Sequence, residues 1–194
     1  MSGPDLDAEF AAALAAVRQP HLDRLLALGV TGAAMIAVGL VGVARIEAGR
    51  AGLYQPVEHG RPALVLPAWD RAPIRPDGQL DYEAALVDLL AVRPADPERW
   101  WLRRGSVALL GEWQVWHASL GSEPIAVHRD PLRWLLTGGA GVVLLHDDGF
   151  DTLANLPGLI AEDVEHGRHI KDRLSRPMRT PQIYVRSHVG RAAA

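Results

Sequence analysis

The first part of the chain reads as short helical stretches separated by glycines. Residues 7–18 are rich in alanine and favour a helix. Residues 20–28 and 32–38 form two further stretches, each followed by a glycine, the residue that commonly ends a helix. Residues 40–46 are almost wholly apolar and predict a buried strand. Residues 1–60 therefore predict an N-terminal helix pair and a first strand.

Residues 61–123 change to the pattern of strands. Runs of strand-forming residues are separated by turn residues, at 62–69, 85–92, 99–103 and 107–110. The sequence Arg104-Gly105-Ser106 between the last two runs is typical of a hairpin turn. This segment predicts an antiparallel β meander.

Residues 124–194 alternate strands with helices. Asp130 can cap a helix at 131–136, because Pro131 suits the first helical position. Further helices are predicted at 149–156 and 163–175, and strands at 142–145, 158–161 and 182–186. This alternation indicates a small parallel α/β unit. The three segments together predict an α+β fold, which could also be one domain.

A run of twenty residues, 25–44, carries no charge and is long enough to span a bilayer. It is composed mainly of Ala, Gly and Val, and its glycines disfavour one continuous helix. The residues before it include four acids, whereas a signal peptide opens with a basic region. We therefore expect no membrane partner and a cytoplasmic location.

The basic residues are unevenly placed along the 194 residues. The formal net charge is −3, yet residues 166–194 hold seven basic side chains and one acid. Residues 99–104 interleave arginine with tryptophan, which suits phosphates and unpaired bases, although a packed hairpin would give the same pattern. The predicted nucleic-acid-binding residues are Arg99, Arg103, Arg104, Arg168, Lys171, Arg173, Arg176 and Arg179.

Carboxylates follow two of the predicted parallel strands. Asp147 and Asp148 follow the first of these, and Glu162 follows the second. Ligands bind where parallel strands end, and carboxylate oxygens can hold magnesium, the one cofactor this pattern suggests. Turn formation and helix capping account for the same residues. His166 and His169 could share a helix face with Glu162, which is an alternative arrangement for a transition metal.

Other kinds of site lack their motifs. The glycines at 138–141 precede a strand, whereas a phosphate-binding loop follows a strand and opens a helix. The chain has no cysteine, which excludes disulfides, cysteine-based metal sites and a cysteine nucleophile. No serine lies in a G-x-S-x-G motif. Trp113 and Trp116, three residues apart, are predicted to lie in the core.

Three pieces of the chain, in order, resemble the catalytic core of bacterial DNA primases and of primase-like proteins of mobile elements. The first is the predicted helix pair and strand at 22–45. The second is GRPALVLPAWD at 60–70, with ALVDLLAVRP after an insertion. The third is LPGLIAEDVEHGRHI at 156–170, which resembles the first strand and helix of a Toprim domain. The resemblance implies that Glu162 corresponds to the catalytic glutamate of that domain.

The chain departs from the Toprim pattern after this glutamate. Asp163 stands where the pattern has glycine, and the printed sequence holds no later D-x-D motif. Without that motif two magnesium ions cannot be held for nucleotidyl transfer. The resemblance therefore implies a truncated or diverged relative.

Three functions remain open at this point. The leading hypothesis is a non-catalytic module that binds nucleic acid, preferably single-stranded DNA, in a replicon or mobile element. The second is a magnesium-dependent phosphoryl-transfer enzyme that uses Glu162, Asp147 and Asp148. The third is an adaptor that binds a protein partner or a second copy of itself through the tryptophan-rich hairpin.

Overall fold

The computed structural model describes residues 3–75, 77–121 and 123–175, in which three helices are followed by six strands and then by alternating helices and strands. The helices are α1 (Leu6–Ala15), α2 (Gln19–Ala27), α3 (Gly32–Ala37), α4 (Trp113–Gly121), α5 (Pro131–Leu136), α6 (Gly149–Leu153) and α7 (Val164–Leu174). The strands are β1 (Gly42–Ala48), β2 (Tyr54–Pro56), β3 (Arg61–Trp69), β4 (Leu86–Arg93), β5 (Asp96–Leu102), β6 (Leu109–Leu110), β7 (Ile125–His128), β8 (Val142–Leu144) and β9 (Leu159–Ala161). The fold is α+β, as predicted.

Five strands form an antiparallel sheet in the order β2-β1-β3-β4-β5. The predicted meander is confirmed for β3, β4 and β5, and β1 extends it on the other side of β3. The helix α1 packs on one face through Leu6, Phe10 and Ala13, which contact residues such as Val65 and Ala91. The segment 1–60 and the meander therefore share one sheet.

Side chains on the opposite face of this sheet pack in a core that also contains residues of a second, smaller sheet. Leu66 and Leu90 of the large sheet are fully buried in the same cluster as Leu135 of α5 and Val143 of β8. Burying one such side chain stabilises a fold by roughly 1.5–3 kcal/mol. The shared core thus holds the small sheet and α5 against the large sheet.

Four strands form the second sheet, in the order β6-β8-β7-β9. The strand β7 is parallel to β8 and β9, whereas β6 is antiparallel to β8. The antiparallel β6 therefore makes this sheet mixed and not purely parallel. Side chains of α4, α6 and α7 form a core with this sheet, including Val115, Phe150 and Ile170. The strand predicted at 182–186 lies outside the described residues.

Side-chain caps fix the starts of three helices where the sequence predicts them. Thr31, Asp130 and Asp163 each accept a hydrogen bond from the backbone N–H three residues later, at 2.8–3.0 Å. Each bond satisfies an N–H that has no partner within its helix. The predicted starts of α3, α5 and α7 are therefore confirmed.

The hairpin predicted around residues 104–106 is wrong, because β5 and β6 belong to different sheets. The turn is held by Asp88 of β4, whose side chain is fully buried. Its carboxylate accepts backbone N–H bonds from Arg103, Arg104 and Ser106 at 2.8–3.1 Å. Neither α4 nor β7 is predicted by the sequence pattern.

The uncharged run at 25–44 is divided among α2, α3 and β1. Gly39, which follows α3, has a φ of +83°, and a Cβ on it would lie 2.7 Å from Nε1 of Trp69. That Nε1 donates to the carbonyl of Val38 at 3.0 Å, so the glycine is required for this close approach. Within the described residues, no helix has the length and apolar character needed to cross a membrane.

Candidate functional site

Three arginines from three strands converge at one end of the large sheet, on the face that carries α1. Arg61 begins β3, Arg93 ends β4, and Arg99 lies in β5. Antiparallel pairing places the start of β3 beside the end of β4, and the start of β5 follows across a tight turn. All three side chains line one open cavity of about 650 Å³. Its size falls within the range of roughly 300–1,000 Å³ that is usual for ligand sites.

Trp101 supports two of these arginines. The guanidinium carbons of Arg93 and Arg99 lie 5.0 Å and 6.0 Å from the centroid of its ring, which is the distance of a cation–π contact. The tryptophan itself is only 8% exposed. It therefore positions the guanidinium groups and is not itself a free platform for a base.

Some hydrogen-bond donors of the arginines in this cavity have no acceptor or only a distant one. Arg93 Nε is buried without a partner, and no other buried side-chain nitrogen or oxygen of the described residues is in that position. Arg93 Nη2 lies 3.5 Å from Asp96 Oδ2, and Arg99 Nε lies 3.9 Å from the same oxygen. Both distances exceed a good N–H···O bond. A buried donor without a partner costs free energy, so an acceptor on a ligand would be favoured here.

The rim of the cavity carries both signs of charge. His59, Glu47 and Glu58 line it in exposed positions beside the arginines. The two glutamates reduce the local positive potential, so an anion bound here would be held weakly and would be sensitive to salt.

Two of the predicted nucleic-acid-binding arginines are instead engaged within the fold. Arg103 donates from Nε and Nη2 to the carboxylate of Glu9 in α1, at 2.6 Å and 2.9 Å. This hydrogen bond raises the pKa of Arg103 above its ordinary value. Arg104 donates to the carbonyl of Pro4. Both side chains hold the N-terminal segment against β5, which argues against their predicted contact with phosphates.

The helix α7, which carries the other predicted basic residues, packs against the second sheet, whereas the cavity is formed by the large sheet. Arg168 and Lys171 are exposed. Arg173 forms an ion pair with Asp147, and its guanidinium carbon lies 5.3 Å from the ring centroid of Phe150. The last two predicted basic contacts, Arg176 and Arg179, lie outside the described residues. Of the predicted residues that the structure describes, only Arg99 belongs to the arginine cavity.

Glu162 follows β9, as the sequence predicts, and lies where β9 ends beside β7. Its Oε1 lies 3.3 Å from Nδ1 of His128 and accepts the backbone N–H of Arg129 at 3.3 Å. Its Oε2 accepts from Arg133 of α5 at 2.5 Å. The carboxylate is only 16% exposed and joins the ends of two strands to a helix.

The residues next to Glu162 complete this ion-pair network. Arg129 Nη2 donates to both oxygens of Asp163 at 2.8 Å and 2.9 Å, which raises the pKa of Arg129. The backbone N–H of His166, together with Arg129, keeps the pKa of Asp163 below its ordinary value. Burial, with Arg129 nearby, lowers the pKa of His166. Every charge described here has a partner within the network.

The structure does not gather the carboxylates that were expected to hold magnesium. Glu162 is neutralised by two arginines, and Asp147 by Arg173 of α7. Asp148 is the residue before α6, as the turn interpretation predicts. Across residues 3–75, 77–121 and 123–175, no group of three or more His, Asp or Glu side chains could hold a metal ion. The histidine pattern of α7 likewise yields no such group, because His166 is buried toward Glu162 whereas His169 is exposed.

The tryptophans do not form the exposed surface that the adaptor hypothesis requires. Trp101 is buried against the core beneath α1, and Trp100 packs against the core on the other face. Trp116, predicted to be buried, is 74% exposed on α4, where Leu120 is 82% exposed. An apolar contact with a partner would therefore involve α4 and not β5.

Sequence reasoning missed Arg61 and Arg93, the two partners of Arg99. They lie 32 residues apart at strand ends and belong to no local motif. The pattern that could have found them is the antiparallel pairing of the two predicted strands, which places the start of one beside the end of the next. His128 and Arg129 were missed because β7 was not predicted, and Arg133 because it meets Glu162 only through the packing of α5, 29 residues away in sequence.

Comparisons with protein-family models, with curated proteins and with solved structures found no match to this chain. The resemblance to bacterial primases therefore stays a prediction, and the function is inferred from the side chains.

Proposed function

We propose that the chain is a binding module for single-stranded nucleic acid, and that its phosphate-binding site is the cavity of Arg61, Arg93 and Arg99. The supporting observation is the convergence of three guanidinium groups on one cavity, with Arg93 Nε buried and without a partner. Phosphate oxygens are acceptors that suit the planar donor array of arginine.

A single strand fits this cavity better than a duplex does. The site is concave and of nucleotide size, so one backbone phosphate can enter while the neighbouring bases remain outside. Bases could stack on the guanidinium planes that Trp101 holds in place. In this proposal the chain acts in the cytoplasm as a diverged relative of a primase core, in line with the sequence resemblance.

The test is the fluorescence anisotropy of a labelled oligothymidylate of about 20 nucleotides, which exceeds a site of ~4–16 nucleotides. Arg61→Ala and Arg99→Ala, both at exposed positions, should each weaken binding about fivefold to tenfold, because each removes a charged hydrogen bond. Arg93→Ala should have the largest effect, provided that circular dichroism shows a folded protein.

The matched controls are Arg168→Ala and Lys171→Ala, which remove exposed cations from α7. These variants should leave the affinity within about twofold of the wild type, because α7 packs against the second sheet and not against the large sheet. Loss of binding only in these controls, or no binding by the wild type at about 20 mM salt, where phosphate contacts are strongest, would overturn the proposal.

A further inference from the structure

The arginine cavity carries more positive charge than the fold neutralises. Among the described residues, Asp96 is the one carboxylate within ion-pair distance of its three guanidinium groups. The Oδ2 of Asp96 lies 3.5 Å from Arg93 Nη2 and 3.9 Å from Arg99 Nε, and it has no ion pair with Arg61. Three positive charges against one negative charge leave an excess of two at this end of the sheet.

The glutamates of the rim do not remove this excess. Glu47 and Glu58 line the cavity in exposed positions, and neither forms an ion pair with an arginine of the described residues. Charges in such positions are screened by water and salt, whereas charges in direct contact are screened much less. The local balance is therefore set by the arginines and Asp96.

The two kinds of phosphate in a nucleic-acid strand differ in how well they match this balance. A phosphodiester within the strand carries one negative charge and two free oxygens. A terminal phosphate is a monoester, which carries about −1.5 to −2 charges at pH 7 and three acceptor oxygens. A monoester thus matches the excess charge and also offers an additional acceptor to donors such as Arg93 Nε, which has no partner.

We propose that the cavity of Arg61, Arg93 and Arg99 binds a terminal phosphate of the strand in preference to the phosphodiesters within it. This inference rests on the proposed function and names the part of the strand that the site holds. The concave shape favours the same choice, because a terminal phosphate enters with one chain behind it, whereas an internal phosphate requires the strand to enter and leave.

The test compares three oligothymidylates of about 20 nucleotides that differ only at their ends. One has hydroxyl groups at both ends, one has a 5′-phosphate and one has a 3′-phosphate, and each carries the same fluorophore on the same internal base. In anisotropy titrations of the full chain, a terminal phosphate should increase the affinity about tenfold or more, because it adds charge and a charged hydrogen bond at the arginines. Preference for either phosphorylated strand supports the proposal and identifies the end that is bound.

Variants then locate the preference in the cavity. Arg61→Ala and Arg99→Ala, at exposed positions, should reduce the ratio of the affinities with and without the terminal phosphate to about twofold or less, because each removes part of the excess charge. The matched control Arg168→Ala removes an exposed guanidinium group from α7 and should keep the full ratio. Circular dichroism verifies that each variant is folded.

The possible failures of this inference and of the proposed function are distinguishable. Equal affinities for the three strands, all weakened by Arg61→Ala and Arg99→Ala, would contradict the preference and leave the phosphate site in place. A preference that persists in both variants would locate the terminal phosphate elsewhere on the protein and would contradict the inference as well. If none of the strands bound at about 20 mM salt, the proposed function itself would be wrong, and the preference with it.

Discussion

At the scale of single residues, the charged side chains divide into those that hold the fold together and those that remain available. Arg103 and Glu162 are both drawn into ion pairs with buried or half-buried partners. Arg93 shares features of both groups, because its side chain is mostly buried and yet its Nε donor has no hydrogen-bond partner. A charged side chain can bind a ligand only where its hydrogen-bonding groups are not already held by partners within the fold.

His166 provides a residue-scale test of the Glu162 network. Its Nδ1 accepts the backbone N–H of Glu162 at 3.4 Å, and burial beside Arg129 lowers its pKa from the ordinary value near 6.5. Because the unfolded chain binds this proton more readily, the neutral ring contributes stability above about pH 6.5 that is lost as the pH falls through that value. We expect urea unfolding to show lower stability at about pH 5.5 than at about pH 7.5.

The matched variant is His166→Asn, whose side-chain oxygen can accept the same N–H without titrating. The loss of stability between the two pH values should be smaller in this variant than in the wild type. If both proteins lose the same free energy of unfolding, His166 does not carry this pH dependence.

At the scale of elements, Asp88 joins strands that the sequence pattern does not connect. Its buried carboxylate, in β4, accepts hydrogen bonds from the backbone N–H groups of Arg103, Arg104 and Ser106. Replacing it by Asn puts an N–H₂ group opposite N–H donors, so we expect Asp88→Asn to lower the free energy of unfolding by roughly 3 kcal/mol. Chemical denaturation measures the change.

A comparison at a solvated position separates this effect from loss of charge alone. Asp23→Asn alters an exposed side chain that bonds to Gln19 within α2, and should change stability by less than about 0.5 kcal/mol. A loss below about 1 kcal/mol in Asp88→Asn would mean that the turn does not depend on the carboxylate.

The same contrast explains which elements the sequence could predict. At the starts of α3, α5 and α7, a side chain accepts a hydrogen bond from the backbone N–H three residues later in the sequence. The signal for each of these starts is therefore local. The turn after β5 depends on Asp88, about fifteen residues away, and looks like a hairpin when only its own residues are considered. The helix α4 has a mixed sequence with an exposed Trp116, so its apolar pattern did not mark a helix.

At the scale of the whole molecule, the candidate sites depend on how the sheet brings distant residues together. The arginine-tryptophan run indicated Arg99, which the structure places in one cavity with Arg61 and Arg93. It could not show that α1 would engage Arg103 through Glu9, because these residues are 94 positions apart. Nor could it indicate Arg61 and Arg93, which reach the site only through strand pairing. The residue types were predictable, and their grouping was not.

The arginine cavity should act as one electrostatic unit, because the pairing of β3, β4 and β5 brings its three arginines together. We expect oligothymidylate affinity to fall as the salt concentration rises, because each bound phosphate releases counterions. The slope of log affinity against log salt should be shallower by about 0.7 in Arg99→Ala than in the wild type, the value for one phosphate contact on a single strand. Anisotropy titrations at several salt concentrations measure the two slopes. Equal slopes would show that Arg99 makes no phosphate contact.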